Sequence, residues 1–213
     1  MLTTLAISNY RSLHNVIVPL KRLNVIIGPN GSGKSSLYKA LRLLADTAQG
    51  RVVTSLAREG GLQSTLWAGP ESFSRAVKRG DYPIQGTRRK HTINLRLGFA
   101  ADEFGYLIDL GLPSSGNSVF NLDPEIKQEY LWQGQTLRPS TTIADRHGAV
   151  VRIHTASNEW NIVADSLAAF DSMMTHVADP KNAPEMFRGN RFERGGSMII
   201  SGRMQSRPRA FLR

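Results

Sequence analysis

Eight consecutive residues, Gly28-Pro29-Asn30-Gly31-Ser32-Gly33-Lys34-Ser35, have the types and spacing to hold a polyphosphate. They fit the pattern G-x-x-x-x-G-K-[ST], in which a glycine-rich turn opens a helix. Gly31 and Gly33 let the backbone take positive φ and turn its N–H groups toward phosphate oxygens. The helix start adds the positive end of its dipole. Lys34 is then placed to reach β- and γ-phosphates, and the Ser35 hydroxyl to ligate Mg²⁺. With glycine at about 7% of residues, a chance match in a chain this long is on the order of 1%. Two blander readings stand beside it. One is a strand–helix turn with a solvent lysine; the other is a degenerate loop that no longer binds nucleotide.

Such a loop needs a strand before it and a helix after it. Residues 23–27, an apolar, β-branched run interrupted by Asn24 and ending at Gly28, read as a buried strand. Residues 33–46 read as a helix, with Leu37, Ala40, Leu41 and Leu44 on one face and a stop at Gly50. Upstream, residues 2–7 and 15–20 read as two further strands. Residues 51–90 read as irregular, Gly-rich and basic. Residues 91–165 read as an antiparallel meander with strands near 91–99, 106–110, 126–132, 149–154 and 159–163, separated by Gly, Asn, Pro and Asp turns. Asp165-Ser166 predicts a helix cap, with Leu167, Phe170, Met174 and Val177 on one face up to Asp179-Pro180. The pattern dissolves after Pro184.

Composition narrows the class. The chain has 213 residues, enough for a real core without staples, and no Cys. Disulfide scaffolds, Cys-ligated zinc, iron–sulfur clusters and thiol catalysis are excluded. Its apolar runs are too short to span a bilayer and its first residues do not resemble a signal peptide, so a cytoplasmic protein with no membrane partner is expected. The five His (14, 91, 147, 154, 176) show no i, i+3 or i+4 pairing, which disfavours a metal centre built from them. The net charge of +10 points to an anionic partner. That charge is uneven: residues 188–213 hold seven Arg and one Glu, +6 of the total. A second cluster is Arg75, Lys78, Arg79, Arg88, Arg89 and Lys90.

The inner residues Pro29-Asn30-Gly31-Ser32-Gly33-Lys34-Ser35-Ser36 resemble the Walker A loop of ABC-type P-loop ATPase heads of the SMC, RecF and OLD-like group. The flanks extend the resemblance: Ile7-Ser8-Asn9-Tyr10-Arg11-Ser12-Leu13, then Leu23-Asn24-Val25-Ile26-Ile27, then Ser36-Leu37-Tyr38-Lys39-Ala40-Leu41. The middle, with Gly60-Gly61-Leu62, Leu66-Trp67-Ala68-Gly69, Asp109-Leu110-Gly111-Leu112-Pro113 and Asp123-Pro124-Glu125-Ile126-Lys127, is similar to bacterial predicted ATPases of that group. The resemblance implies an α/β P-loop fold, the N-terminal lobe of an ATPase head with a largely antiparallel meander. It divides as 1–50 (strands, loop, first helix), 51–165 (β-rich) and 166–187 (helix), followed by a basic tail at 188–213. It also implies ATP and Mg²⁺ as cofactors, held by Gly28, Pro29, Asn30, Gly31, Ser32, Gly33, Lys34, Ser35 and Ser36, with Lys34 catalytic and Arg11 near the nucleotide. An exposed turn arginine is the plain alternative for Arg11. In intact relatives two heads sandwich ATP, which implies a head-to-head homodimer.

Such heads also need a Q-loop, a signature and a Walker B strand ending in Asp-Glu. Gln63, Gln85 and Gln133 are open candidates for the first. Asp102-Glu103 imitates Walker B but follows a half-exposed alternating strand broken by Gly98, and reads as a hairpin turn. Leu112-Pro113-Ser114-Ser115-Gly116 imitates a signature, yet Pro113 makes it a loop. At residues 196–205 a shifted reading frame can encode Trp-Phe-Tyr-Asp-His-Phe-Arg-Thr-Asp-Ala, close to the segment expected there. A frameshift that truncates the head is one expectation, and a natural basic tail the other. A chain without Walker B carboxylates is expected to bind nucleotide weakly and hydrolyse little. The competing class is a nucleic-acid-associated module that uses the 75–90 cluster, with ATP as a switch and DNA as partner; a solvated basic loop is its bland counterpart. A kinase or GTPase is disfavoured by the antiparallel strands after the first helix and by the lack of an Asn-Lys-x-Asp motif.

Overall fold

The computed structural model describes residues 1–69, 79, 92–113, 122–155 and 157–177. Eight strands form one sheet: β1 (Leu2–Tyr10), β2 (Leu13–Pro19), β3 (Leu95–Ala101), β4 (Phe104–Gly111), β5 (Glu125–Gln133), β6 (Thr142–His147), β7 (Val150–His154) and β8 (Trp160–Ala164). Their order is β2-β1-β3-β4-β5-β6-β7-β8, and every neighbouring pair is antiparallel. Alternation explains the strands. In β3, Leu95 and Leu97 point into the core while Arg96 faces solvent. In β4, Tyr106, Ile108 and Leu110 do the same.

Helices α1 (Lys34–Thr47), α2 (Val52–Arg58) and α3 (Gly61–Thr65) share this core. Leu37, Ala40 and Leu44 of α1 are buried, the face that their spacing predicts. Leu56 of α2 and Leu62 of α3 are fully buried beside them. The two short helices correct the expectation that residues 51–90 are irregular up to residue 65; their apolar residues are too few to show a period.

The run at 23–27 is a second correction. It forms no strand, and Leu23 and Ile27 are 80% and 87% exposed. Its composition is that of a strand covered on both faces, which forms only between hydrogen-bonding neighbours. None is supplied by the described residues. β2 ends at Pro19, and Lys21 and Asn24 close a local turn, with Lys21 N–H donating to Asn24 Oδ1 at 2.9 Å and Asn24 Nδ2–H to Lys21 O at 2.8 Å.

Asp102 and Glu103 form the tight β3–β4 turn, as read from sequence. Asp102 pairs with the N-terminal ammonium at 3.1 Å. Gly98 is required by contact: a Cβ there would lie 2.9 Å from Tyr106 O. β6 escaped the sequence reading because its residues, Thr-Ile-Ala-Asp-Arg-His, lack a clear apolar alternation.

The predicted helix from Asp165 is largely corrected. Residues 165–172 are turns and bends, Phe170 is 56% exposed, and helix α4 covers only Met173–Val177. A buried carboxylate decides this local path. Glu129 on β5 accepts hydrogen bonds from the Tyr106 hydroxyl, the Ser172 hydroxyl and Met173 N–H, and pairs with Arg146 of β6 at 3.1 Å. Arg146 in turn donates to the carbonyls of Gly148, Ala168 and Asp171. Tethering the chain at these points replaces helix with an irregular strap. The rest of the predicted segment up to 187, and the basic tail 188–213, lie outside the described residues.

Candidate functional site

The loop of residues 28–33 leads directly into α1. Gly31 and Gly33 have φ of 81° and 95°, the left-handed region that glycine enters without strain. Gly33 is also sterically pinned: a Cβ would lie 2.8 Å from Leu13 Cδ2 and 3.0 Å from Ser12 Oγ. It caps α1, whose first ladder bond runs from Leu37 N–H to Gly33 O at 2.9 Å. The N–H groups of the first α1 turn therefore have no partner within the helix, and the helix dipole adds positive potential there. No acidic residue stands in that first turn to neutralise it.

Lys34 folds back over the loop, its ammonium donating to Gly28 O and Pro29 O, both at 2.7 Å. Those carbonyls hold the cation beside the backbone it would share with a phosphate. Ser35 is exposed, while Ser36 is buried and exchanges a hydrogen bond with Ser12 across 3.2 Å. Ser36 thus ties the loop to the β1–β2 turn. Pro29, Asn30 and Ser32 are exposed at the loop tip.

These groups fit a polyphosphate: glycines whose conformation leaves the backbone bare, a helix N-terminus and a lysine. Mg²⁺ finds less. Ser35 supplies one hydroxyl, and among the described residues no group of three or more His, Asp or Glu is placed to hold a metal. A magnesium ion there would rely on Ser35, phosphate oxygens and water.

Arg11 sits in the β1–β2 turn with φ of 50°, and Asn9 beside it has 61°, two left-handed non-glycine residues in three. Arg11 donates twice to Glu59, at 2.5 and 3.1 Å. Tyr10 donates its hydroxyl to the same carboxylate at 2.8 Å, and Lys39 lies 3.7 Å away. Burial pushes Glu59 up, but hydrogen bonds from Arg11 and Tyr10 outweigh it and hold the carboxyl below its usual range. Burial, more than the neighbouring Glu59, pushes the Tyr10 phenol up to about 12. Arg11 is therefore half-buried and paired rather than a loose turn arginine. Its partner Glu59 escaped the sequence reading because it lies 48 residues away.

Residues 1–129 match the family model described as AAA ATPase domain, more than half of the chain. The chain belongs to the AAA ATPase domain family. Over 87 residues it is also 37% identical to the DNA replication and repair protein RecF of Idiomarina loihiensis, covering 40% of this chain. The matched stretch spans only 22% of that RecF's length. Membership of the AAA ATPase domain family supports ATPase-type nucleotide binding, and the eight-stranded antiparallel sheet with its helices fits an α/β fold. No helix among the described residues is long and apolar enough to cross a membrane.

The remaining sequence candidates scatter. Gln63 lies on α3 and Gln133 ends β5, while Gln85 lies outside the described residues. Of the signature-like stretch only Leu112 and Pro113 are described, after the end of β4. Of the 75–90 cluster only Arg79 is described, and it is exposed.

Proposed function

We propose that this AAA ATPase-family chain binds ATP with Mg²⁺ through a Walker A loop formed by residues 28–36, as the N-terminal part of an SMC/RecF/OLD-like ATPase head. The observation that carries the reading is the pair of left-handed glycines, 31 and 33, opening α1 directly onto Lys34. Backbone N–H groups of Gly31, Gly33, Lys34, Ser35 and Ser36 would face the phosphates, and Lys34 would leave its two carbonyls for phosphate oxygens. Bound Mg²⁺ would supply charge neutralisation between the phosphates. Arg11, oriented by Glu59 and Tyr10, is a further cation on the turn that touches the loop through Ser12.

The exposed run at 23–27 supports the view that the head is completed by strands beyond those described, either from the missing share of a longer protein or from a second head. The frameshift reading of the tail belongs to the same proposal, and the downstream DNA in all three frames tests it. Without a Walker B carboxylate pair among the described residues, this chain should bind nucleotide and turn it over slowly. Titration with a fluorescent ATP analogue should show Mg²⁺-dependent binding that Lys34→Ala weakens at least tenfold. Equal affinity of both proteins sinks the proposal, and robust ATPase activity abolished by Lys34→Ala sinks its second half.

A further inference from the structure

The β1–β2 turn is strained where a glycine would relieve it. Asn9 and Arg11 take φ of 61° and 50°. Asparagine enters the left-handed region with little strain, whereas a long arginine side chain does not. The turn keeps this shape because the segment from Glu59 to Trp67 braces it. Arg11 N–H donates to Thr65 O at 2.7 Å and Trp67 N–H to Asn9 O at 2.9 Å, and Tyr10 and Leu66 form a β-bridge. Strain that the surroundings hold in place points to a role for the side chain it carries.

Glu59 completes the brace through its side chain. Its Oε2 accepts from both Nε–H and Nη2–H of Arg11 and from the Tyr10 hydroxyl, while Lys39 lies 3.7 Å from Oε1. The Arg11 guanidinium also lies over the Tyr10 ring, 5.7 Å from its centroid. One edge and one face of the guanidinium are therefore taken, and Nη1 makes no hydrogen bond among the described residues. Glu59 stands on the wall of the same open cleft as Lys34, Ser35 and Lys39. A bare carboxylate there would repel a phosphate, but its pairing with Arg11 and Lys39 offsets that charge. The next residue along the turn, Ser12, touches Ser36 of the glycine-rich loop at 3.2 Å.

We propose that Glu59 is a positioning residue of the nucleotide site: it fixes the plane of the Arg11 guanidinium and leaves Nη1 to donate to a phosphate oxygen. The inference rests on the ATP reading and adds to it a residue that touches no ligand. A guanidinium free on its stem loses rotamer freedom when it meets a phosphate. One already held by a carboxylate has lost that freedom on folding, so the contact forms at less entropic cost. The planar fork is what makes this work. Arginine can give one edge to Glu59 and keep further donors for a ligand in fixed geometry, and a lysine ammonium cannot.

The test uses the full chain and the fluorescent ATP analogue with Mg²⁺, with circular dichroism as the check on folding. Arg11→Ala should weaken binding about tenfold, the loss of one charge-assisted hydrogen bond. Glu59→Ala should weaken it by a similar factor, and in the Arg11→Ala background should weaken it no further. Glu59→Gln keeps an acceptor for the guanidinium and should bind within about threefold of the unmodified chain. Arg11→Lys keeps the charge without the fork and should bind nearly as weakly as Arg11→Ala. That variant leaves Glu59 in place, so it decides the matter even where Glu59→Ala does not fold. Arg11→Lys at the affinity of the unmodified chain shows that charge alone suffices and overturns the proposal. Fully additive losses from Arg11→Ala and Glu59→Ala overturn it as well. Lys34→Ala separates this inference from the ATP reading. Undiminished affinity in Lys34→Ala sinks the reading itself, whereas weakening there with none in Glu59→Ala sinks the inference alone.

Discussion

Replacing Glu129 by Ala is expected to cost this fold about 4 kcal/mol. Glu129 is fully buried and accepts from Tyr106, Ser172, Met173 N–H and Arg146. Removing one partner of a buried ion pair costs about 3–5 kcal/mol, because the other charge stays buried without compensation. Arg146 is also fully buried, so water cannot replace the lost carboxylate. Three backbone carbonyls still accept from its guanidinium and keep the cost off the top of that range. The orphaned Met173 N–H adds about 1 kcal/mol or more. Against a typical stability of about 5–15 kcal/mol, the loss is a large fraction. For a chain of this size it corresponds to a fall in Tm of about 8–16 °C. Urea denaturation followed by circular dichroism measures it directly. The double variant Glu129→Leu/Arg146→Met removes both charges and should recover most of the loss, since a buried pair contributes little net stability over apolar side chains. A loss below about 1 kcal/mol in Glu129→Ala, or a double variant worse than either single, would refute the reasoning.

Four other outcomes follow from the loop and its surroundings. Gly33→Ala forces a side chain into left-handed φ, about 1–2 kcal/mol, and brings its Cβ within 2.8 Å of Leu13 Cδ2; affinity for the fluorescent ATP analogue should fall at least tenfold while the sheet's circular dichroism persists. The Tyr10 phenol stands higher folded than unfolded, so its contribution is whole below pH 10.0 and is lost as pH rises toward about 12; alkaline unfolding curves should show a loss on the order of 2 kcal/mol that Tyr10→Phe removes. Glu59 runs the other way, contributing above the usual carboxylate range and losing that contribution in acid, so Glu59→Gln should flatten the acid limb. Ile27→Lys, at an exposed position, should leave stability within about 0.5 kcal/mol and reduce self-association seen by light scattering; a loss above about 2 kcal/mol would show that the run is covered.

The glycine-rich turn into α1 was legible because its backbone demands glycine at fixed positions, and Gly31 and Gly33 both take left-handed φ there. The α1 face and the β3–β4 turn were legible for a similar local reason, a helix period in one case and a glycine-bounded reversal in the other. What escaped was set by distant contacts. Glu59 meets Arg11 across 48 residues, and Glu129 meets Ser172 across 43, pairings that no periodicity announces. The apolar run at 23–27 misled in the opposite sense. Its residues state what they would be between two strands, and nothing in them states whether those strands are present.

The order of the sheet bears on how the chain reaches this shape. From β3 to β8 each strand pairs with the next in sequence, so those pairings close short loops. Only β1 with β3 joins distant segments, its register including Ser8 opposite Arg96. Closing a loop of that length costs on the order of 4 kcal/mol in chain entropy. The meander should therefore assemble first and fast, with β1, β2 and the helices docking onto its β3 edge as the slow step. A ribosome releases the segments in the reverse sequence. The glycine-rich loop emerges early and must wait until β3 has been synthesised before the strands that flank it can dock, and its apolar neighbour at 23–27 stays exposed even then.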